Sequence, residues 1–215
     1  MAIGKDLLKL ARESIQEEIT GKKTTIPESL KQKYSAKKGV FVTLTQAGDL
    51  RGCIGLIEPV VPLWQAVHQM AKQAAFNDPR FNPITSKEVN DIKIEISTLT
   101  QPTLITATKS EEYLTQINIG TDGLIIEQNK HRGLLLPQVF PECVRNLQKR
   151  SDSVQIPEHA RKCADNHSLH AHFQRKADAR KALEMTCEKA GLEPNAWKQI
   201  DKTKVYKFQC DIIRE

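Results

Sequence analysis

The sequence has no apolar run long enough to span a lipid bilayer. Its most apolar stretch, residues 53–70, contains Glu58, Pro59, Pro62 and His68, whereas a spanning helix needs roughly 20 predominantly apolar residues. The first ten residues carry a charge every few positions and lack the continuous apolar core of a signal peptide. We therefore expect a cytoplasmic protein with no membrane segment.

Disulfide scaffolds and the common nucleotide-binding classes also lack support. The five cysteines are odd in number, widely spaced and without a Cys-x-x-Cys pair, so we expect reduced thiols. The chain contains neither a G-x-G-x-x-G fingerprint nor a Walker lysine motif. ATP or NAD chemistry is therefore not indicated, and the sequence identifies no cofactor.

Aromatic residues make up only 5% of the chain, and the positive charge is concentrated in one segment. The formal net charge is +6, of which residues 142–181 contribute four through nine basic and five acidic side chains. Nucleic-acid binding would depend on this segment and on few stacking side chains. We rank it lowest among the functions considered.

The first half of the chain predicts helices and a β-hairpin. We predict helices over residues 3–19 and 62–76, the first of them ended by Gly21. Residues 22–39 are predicted to be a connecting loop, and residues 40–45 and 50–57 to pair around a turn at 47–49. A capping box at residues 85–88 precedes a short helix and then a strand in which Ile92, Ile94 and Ile96 alternate with polar residues.

The second half adds short strands and one longer helix. A short helix is predicted to begin at Ser110, followed by strands over 117–119, 124–127 and 133–136 in an antiparallel meander. A helix over 177–190 ends at Gly191, and residues 205–212 form a closing strand. The fold class that follows is α+β, because no repeating strand-helix-strand rhythm is present.

Residues 50–55, Leu-Arg-Gly-Cys-Ile-Gly, are the most unusual stretch. Strand alternation places Arg51, Cys53 and Gly55 on one face and Gly52 and Ile54 on the other. Arg51 is then close enough to Cys53 to favour its thiolate, while the glycines permit close approach of a backbone or a ligand. Two interpretations stay open: Cys53 is a nucleophilic or ligand-contacting thiol, or it is a small packed residue.

A thiol enzyme also needs a base or an orienting partner for its cysteine. Neither His68, on a predicted helix, nor His131, in a predicted turn, lies at a spacing that identifies it as that partner. The residues alone therefore supply a candidate nucleophile without its base.

The chain resembles the AMMECR family over roughly residues 3–140 and 177–213. The resemblance is carried by three motifs, namely Leu-Arg-Gly-Cys-Ile-Gly at 50–55, Asp-Pro-Arg-Phe at 78–81 and Gly-Leu-Leu-Leu-Pro-Gln-Val at 133–139. The segments around Thr186, Trp197 and Tyr206 are also similar to the family's closing part. The whole chain, residues 1–215, is thus expected to be one AMMECR-type domain.

The resemblance implies an α+β fold of two unequal lobes, formed by non-contiguous segments, with a cleft and with the hexapeptide as the suspected functional site. It also implies association with a Memo-type protein and a radical-SAM protein, which accompany prokaryotic relatives. These implications are analogies from the family.

The second and third motifs add three candidate binding residues. Asp78 and Pro79 form a rigid turn from which Arg80 could grip a carboxylate or phosphate through two parallel hydrogen bonds. An equally weighted alternative is that Asp78 and Arg80 pair with each other to fix the loop. Gln138 is a further candidate polar contact at the edge of a cleft.

Residues 141–176 are expected to be an atypical basic insertion that contains His and Cys residues, where the chain departs from the family. A helix there would place His159, Cys163 and His167 on one face. These residue types can ligate zinc, but their spacing matches no zinc signature and Asp165 and Asn166 interrupt a helix. We therefore predict no metal site and keep the three residues as weak candidates.

Two functions follow from these patterns. In the first, the chain is an enzyme or an enzyme component that acts on a small anionic substrate, with Cys53 as the thiol, Arg51 tuning it, and Arg80 anchoring the anion. In the second, it is a non-catalytic binding or adaptor domain for a partner protein or an anionic ligand, and Cys53 only packs. Replacement of the sulfur in Cys53→Ser distinguishes the two.

Overall fold

The computed structural model describes residues 4–139 and 167–215. Within them the helices are α1 (Lys5–Thr20), α2 (Glu28–Lys33), α3 (Leu63–Phe76), α4 (Tyr113–Gln116) and α5 (His167–Lys189). The strands are β1 (Val40–Gln46), β2 (Asp49–Leu56), β3 (Ile92–Leu99), β4 (Thr103–Leu104), β5 (Gly123–Gln128), β6 (His131–Leu135), β7 (Lys204–Phe208) and β8 (Cys210–Arg214). These elements divide between two compact units, Met1–Gln101 with Asp211–Glu215, and Pro102–Cys210.

The first unit contains a four-stranded sheet in the order β2-β1-β3-β8. On β1, Val40, Val42 and Leu44 are fully buried and alternate with more exposed residues, as expected for a strand with one face on the core. Apolar residues of α1 and α3 join the same core. The α1 and α3 helices therefore cover one face of this sheet. The side chains that alternate with the core residues along β1 lie on the opposite face.

Local signals in the first unit agree with the structure. The α1 helix ends at Gly21, whose φ of 70° is left-handed and whose N–H donates to Glu17 O at 2.8 Å, a common helix terminus. The α3 helix follows Pro62, which lacks only an N–H that a first turn leaves unbonded. The predicted loop at 22–39 is wrong in one part, because α2 forms there directly after Pro27.

The second unit contains a sheet in the order β4-β7-β5-β6. Its core includes Ile126 and Val205 from the sheet, Leu183 and Cys187 from α5, and Trp197. Of the predicted meander, β5 and β6 pair antiparallel, but β7 instead of residues 117–119 lies on the other side of β5. Mixed helices and two antiparallel sheets nevertheless confirm the α+β class.

Two predicted strands of the second half differ from the structure. Residues 117–119 are not a strand but lead into a turn, where the Asp122 carboxylate accepts the Asn118 N–H at 2.9 Å and the Asp122 N–H donates to Asn118 O at 2.8 Å. Aspartate side chains stabilise turns in this way. The predicted closing strand is two strands, β7 in one sheet and β8 in the other, separated at Gln209.

The atypical segment at 141–176 falls mainly outside the described residues. Its last part, from His167 onward, belongs to α5, which therefore begins before the predicted position 177. Within the described ranges, no helix combines the length and apolarity needed to cross a membrane.

Candidate functional site

Cys53 lies on β2, an edge strand of the first sheet, opposite Thr43 of β1. The Cys53 N–H donates to Asp78 Oδ2 at 2.8 Å, and the Cys53 carbonyl accepts from Arg80 Nη2 at 3.3 Å. Both backbone groups of Cys53 therefore point away from β1. In such a non-hydrogen-bonded cross-strand pair the two side chains lie closest together.

The thiol of Cys53 has a hydroxyl partner across the strand pair. Thr43 Oγ1 donates to Cys53 Sγ at 3.3 Å, and the cysteine is partly exposed. A hydroxyl that donates to sulfur favours the thiolate over the thiol. Thr43 is thus a site residue that the sequence did not single out.

Asp78 is the buried centre of the site, with a side chain only 2% exposed. Its carboxylate accepts the Cys53 N–H and the Arg80 N–H, and also Arg80 Nε at 2.9 Å and Arg80 Nη2 at 2.7 Å. Hydrogen bonds from the Arg80 side chain are the largest cause that lowers the pKa of Asp78 to about 2, against the opposing effect of burial. Asp78 is therefore ionised at neutral pH and fixes both Cys53 and Arg80.

Arg80 uses its planar fork on Asp78, so the loop-fixing pair that the sequence left open is present. The side chain is nevertheless 53% exposed, and its guanidinium lies 5.4 Å from the centre of the Phe81 ring. Asp78 is the main cause that raises the pKa of Arg80, and interaction with the Cys53 side chain adds to it. Arg80 is thus the arginine with a described interaction at the Cys53 thiol.

Arg51 has different partners from those expected. Its Nε donates to Glu88 Oε1 at 3.0 Å, its Nη1 to Asn82 O at 2.8 Å, and its Nη2 to Pro83 O at 3.4 Å. Its side chain is 15% exposed. Arg51 therefore attaches the segment 82–88 to β2, a structural task that differs from the predicted tuning of the thiol.

Glu88 completes this attachment through the predicted capping box. Its Oε2 accepts both the N–H and the hydroxyl of Thr85, each at 2.8 Å. The Arg51 hydrogen bond is the largest cause that lowers the pKa of Glu88 to about 2, followed by those from Thr85. Glu88 was recognised from its spacing as a helix cap, and its bond to Arg51 could not be read from that spacing.

The other residues of the hexapeptide pack within the first unit. A Cβ built on Gly52 would lie 2.1 Å from the carbonyl oxygen of Ala74 on α3, so the close approach that the glycine permits is that of a helix backbone. Ile54 is partly buried and packs on the core of this unit. Gly55 lies against the ring of Phe41.

The remaining candidates lie apart from this cluster in the chain. Gln138 follows β6 in the second unit and is half-buried. His159 and Cys163 lie outside the described residues, and His167 is the first residue of α5. In the part of the chain that the structure describes, no three His, Cys, Asp or Glu side chains are grouped to hold a metal ion.

Comparisons with known proteins agree on one family. The family model described as AMMECR1 matches residues 8–213. A protein of Methanothermobacter thermautotrophicus is 38% identical over 99% of this chain and 94% of its own length, and one of Aquifex aeolicus is 38% identical over 98% and 92%. The crystal structure of an uncharacterised protein from Pyrococcus horikoshii matches with a TM-score of 0.76 and 35% identity, covering 99% of this chain and 91% of that one.

Proposed function

The chain belongs to the AMMECR1 family, and we propose that it is an enzyme or an enzyme component that acts on a small anionic substrate, with Cys53 as its reactive thiol. The observation that carries this proposal is the surroundings of the sulfur. Thr43 Oγ1 donates to it at 3.3 Å, and Arg80, whose Nη2 donates to the Cys53 carbonyl at 3.3 Å, has a guanidinium whose pKa the Cys53 side chain helps to raise. Both groups stabilise negative charge on sulfur, and the thiolate is the nucleophilic form of cysteine.

Arg80, rather than Arg51, is assigned the tuning of the thiol. Arg51 is occupied by Glu88 and two backbone carbonyls, whereas Arg80 has donors left after binding Asp78. Asp78 holds Arg80 and the Cys53 backbone at one fixed geometry. A thiol whose anion is stabilised in this way needs no histidine base to become nucleophilic.

The alternative is that the chain is a non-catalytic binding or adaptor domain, in which Cys53 only packs. It is supported by the structural tasks of the other hexapeptide residues, since Arg51 fixes a turn and Gly52 lies against α3. Cys53 itself is partly exposed at a sheet edge, which favours the enzyme.

The test is the rate of Cys53 alkylation against pH in the full chain. Cys143, Cys163 and Cys210 are replaced by serine and the buried Cys187 by alanine. We expect the curve to have its midpoint well below the value of about 8.5 for a free thiol, and to move to higher pH in Arg80→Ala but much less in Arg51→Ala. Labelling that is slow at every pH and becomes rapid only on unfolding would instead support the adaptor.

Partners are a separate part of the proposal. We infer from the family resemblance that the chain works with a Memo-type protein and a radical-SAM protein of the same cell. The measurement is co-elution of the purified proteins on size exclusion, with each pair tested alone. Independent elution of all three at micromolar concentration would count against a stable complex.

A further inference from the structure

The described hydrogen bonds of the Arg80 guanidinium come from two of its three nitrogens, Nε and Nη2. A guanidinium has five N–H donors. Arg80 Nε and Nη2 bind the two oxygens of Asp78, and Nη2 also donates to the Cys53 carbonyl. Nη1 takes part in none of these three hydrogen bonds, and the Arg80 side chain is 53% exposed. The two N–H groups of Nη1 are thus left for the Cys53 side chain, with which the guanidinium interacts, and for a ligand.

This pattern restricts what Arg80 can bind. A carboxylate or phosphate is gripped best by parallel donors on two different nitrogens of the guanidinium. Asp78 already occupies Nε and Nη2, and the second hydrogen of Nη2 is taken by Cys53 O. Nη1 alone can donate to a single oxygen atom, and the Asp78–Arg80 pair carries no net charge to attract a distant anion.

Resting on the proposed thiol function, we propose that Arg80 Nη1 donates to the carbonyl oxygen of an acyl substrate whose carbon is attacked by Cys53. The substrate class is an ester, a thioester or another activated acyl compound. A carbonyl is neutral before attack and its oxygen becomes an anion during attack. A hydrogen-bond donor aimed at this oxygen stabilises the anionic oxygen formed on attack more than the neutral carbonyl oxygen of the bound substrate. The anion that meets Arg80 is then the oxyanion formed in the reaction, so the substrate class inferred for the proposed enzyme is an acyl compound and not a preformed anion held by Arg80.

The reaction balances with water as the second substrate. The thiolate forms an S–C bond while the carbonyl π electrons move onto oxygen, where Nη1 donates to them. Collapse of this intermediate breaks the bond to the leaving group, which takes a proton from water, and leaves a hydroxide ion and Cys53 as a thioester. Attack of this hydroxide on the thioester carbon breaks the S–C bond, releases a carboxylic acid and restores the thiolate. The sum is acyl compound plus water to carboxylic acid plus the protonated leaving group.

The experiment compares two probes on the full chain with the other four cysteines replaced as above. Iodoacetamide alkylates the thiolate without forming an oxyanion, whereas p-nitrophenyl acetate acylates it through one. Both rates are measured at a pH above the midpoint of the alkylation curve, so that the thiolate fraction cancels. In Arg80→Lys we expect the ratio of acylation to alkylation to fall by about tenfold or more, because an oxyanion donor is lost.

Arg51→Lys is the matched control, since this neighbouring arginine already uses its guanidinium within the fold. The ratio of acylation to alkylation in Arg51→Lys should stay within about a factor of two of the parent ratio, because Arg51 makes no contact with the oxyanion. An unchanged ratio in Arg80→Lys, with rapid alkylation retained, would overturn the acyl inference and leave the thiol function intact. Cys53 that reacts with neither probe in the native chain would overturn the thiol function itself.

A second measurement uses the parent protein and so does not depend on a variant that folds. Butyraldehyde forms a hemithioacetal whose oxygen meets Nη1, whereas butyrate offers Arg80 a carboxylate. We expect butyraldehyde to slow iodoacetamide labelling of Cys53 more than it slows labelling of free glutathione, and butyrate to have no effect. Protection by butyrate equal to that by butyraldehyde would overturn the inference, because it would show recognition of a preformed anion.

Discussion

Replacement of Gly52 by alanine tests whether the hexapeptide glycine is there for packing. Gly52 belongs to β2, next to Cys53, and a Cβ at this position would lie 2.1 Å from Ala74 O and 3.1 Å from the Ala74 carbonyl carbon. Both atoms are helix backbone, so no side-chain rotation can relieve the overlap. We therefore expect Gly52→Ala to push β2 and α3 apart.

The size of the effect follows from the distance. A carbon and an oxygen in ordinary contact are about 3.2 Å apart, so one element must move by about 1 Å. Overpacking of this kind costs typically 1–3 kcal/mol, and we expect about 3 kcal/mol here because two backbones are involved. With a urea dependence of about 2 kcal/mol per molar, the unfolding midpoint should fall by about 1.5 M.

The assay is urea unfolding followed by tryptophan fluorescence. Trp64 packs on the core of the first unit and Trp197 lies in the core of the second, so a Trp197→Phe background reports on the unit that contains Gly52. Gly48→Ala in the same background is the control: its φ of 91° is left-handed, but nothing lies within 4 Å of a Cβ there. It should cost about 1 kcal/mol through backbone strain alone. A loss in Gly52→Ala no larger than in Gly48→Ala would refute the packing argument.

Three further predictions concern single contacts. Thr43→Val should move the alkylation curve of Cys53 by about one pH unit upward through loss of a hydrogen bond to the thiolate, and Thr43→Ser should restore it; an unmoved curve would remove Thr43 from the site. The pKa of Glu88 is lowered in the fold to about 2, so the stability that Glu88 contributes is complete above pH about 4.5 and is lost as pH falls towards 2. The urea midpoints of wild type and Glu88→Gln should therefore differ at pH 7 and converge near pH 2, and a difference that stays constant with pH would contradict this. Arg12 donates to Val89 O at 2.6 Å and Ile92 O at 2.8 Å and pairs with Glu215, so Arg12→Ala should lower the free energy of unfolding in urea by about 2 kcal/mol. Arg12→Lys should recover little of this loss, because an ammonium cannot reproduce the planar fork of a guanidinium.

The elements that local chemistry determines could be predicted from the sequence. The hairpin of β1 and β2 was predicted from β-branched residues around a Gly48 turn, and α3 from apolar spacing after Pro62. Strand alternation also placed Gly52 and Ile54 on one shared face, and in the structure Gly52 lies against α3 and Ile54 packs on the core. These features depend on neighbours a few residues away, which a sequence pattern records directly.

The partner of the thiol could not be predicted, because it depends on an irregularity in the hairpin. Counting back from the turn pairs Gln46 with Asp49 and Thr45 with Leu50, and continued regularly this would place Thr43 opposite Gly52. The register shifts between Leu44 and Thr45, so that Thr43 faces Cys53 instead. A bulge adds one residue to one strand, and the composition of these strands does not reveal it.

The partners of Arg51 could not be predicted for a related reason. Alternation fixes the face on which a side chain starts but not where a long flexible side chain ends. Arg51 reaches residues 82–88, more than 30 positions along the chain, and its partners there include two backbone carbonyls that any residue type would provide. Likewise, the alternation of residues 205–212 is the same on both sides of Gln209, although β7 and β8 belong to different sheets.

The contacts of the hexapeptide together hold Cys53, and with it the sulfur atom Sγ, in a fixed position. Gly52 permits contact with α3, and Arg51 holds the segment 82–88. Asp78 accepts the Cys53 N–H and is itself bound by Arg80. The first two contacts hold the strand before Cys53, the Asp78 contact holds the Cys53 backbone itself, and none of them uses its sulfur. A merely packed cysteine would not need to be partly exposed, with a hydroxyl at its sulfur and a guanidinium at its carbonyl, so the arrangement supports the proposal of chemistry at Sγ over packing.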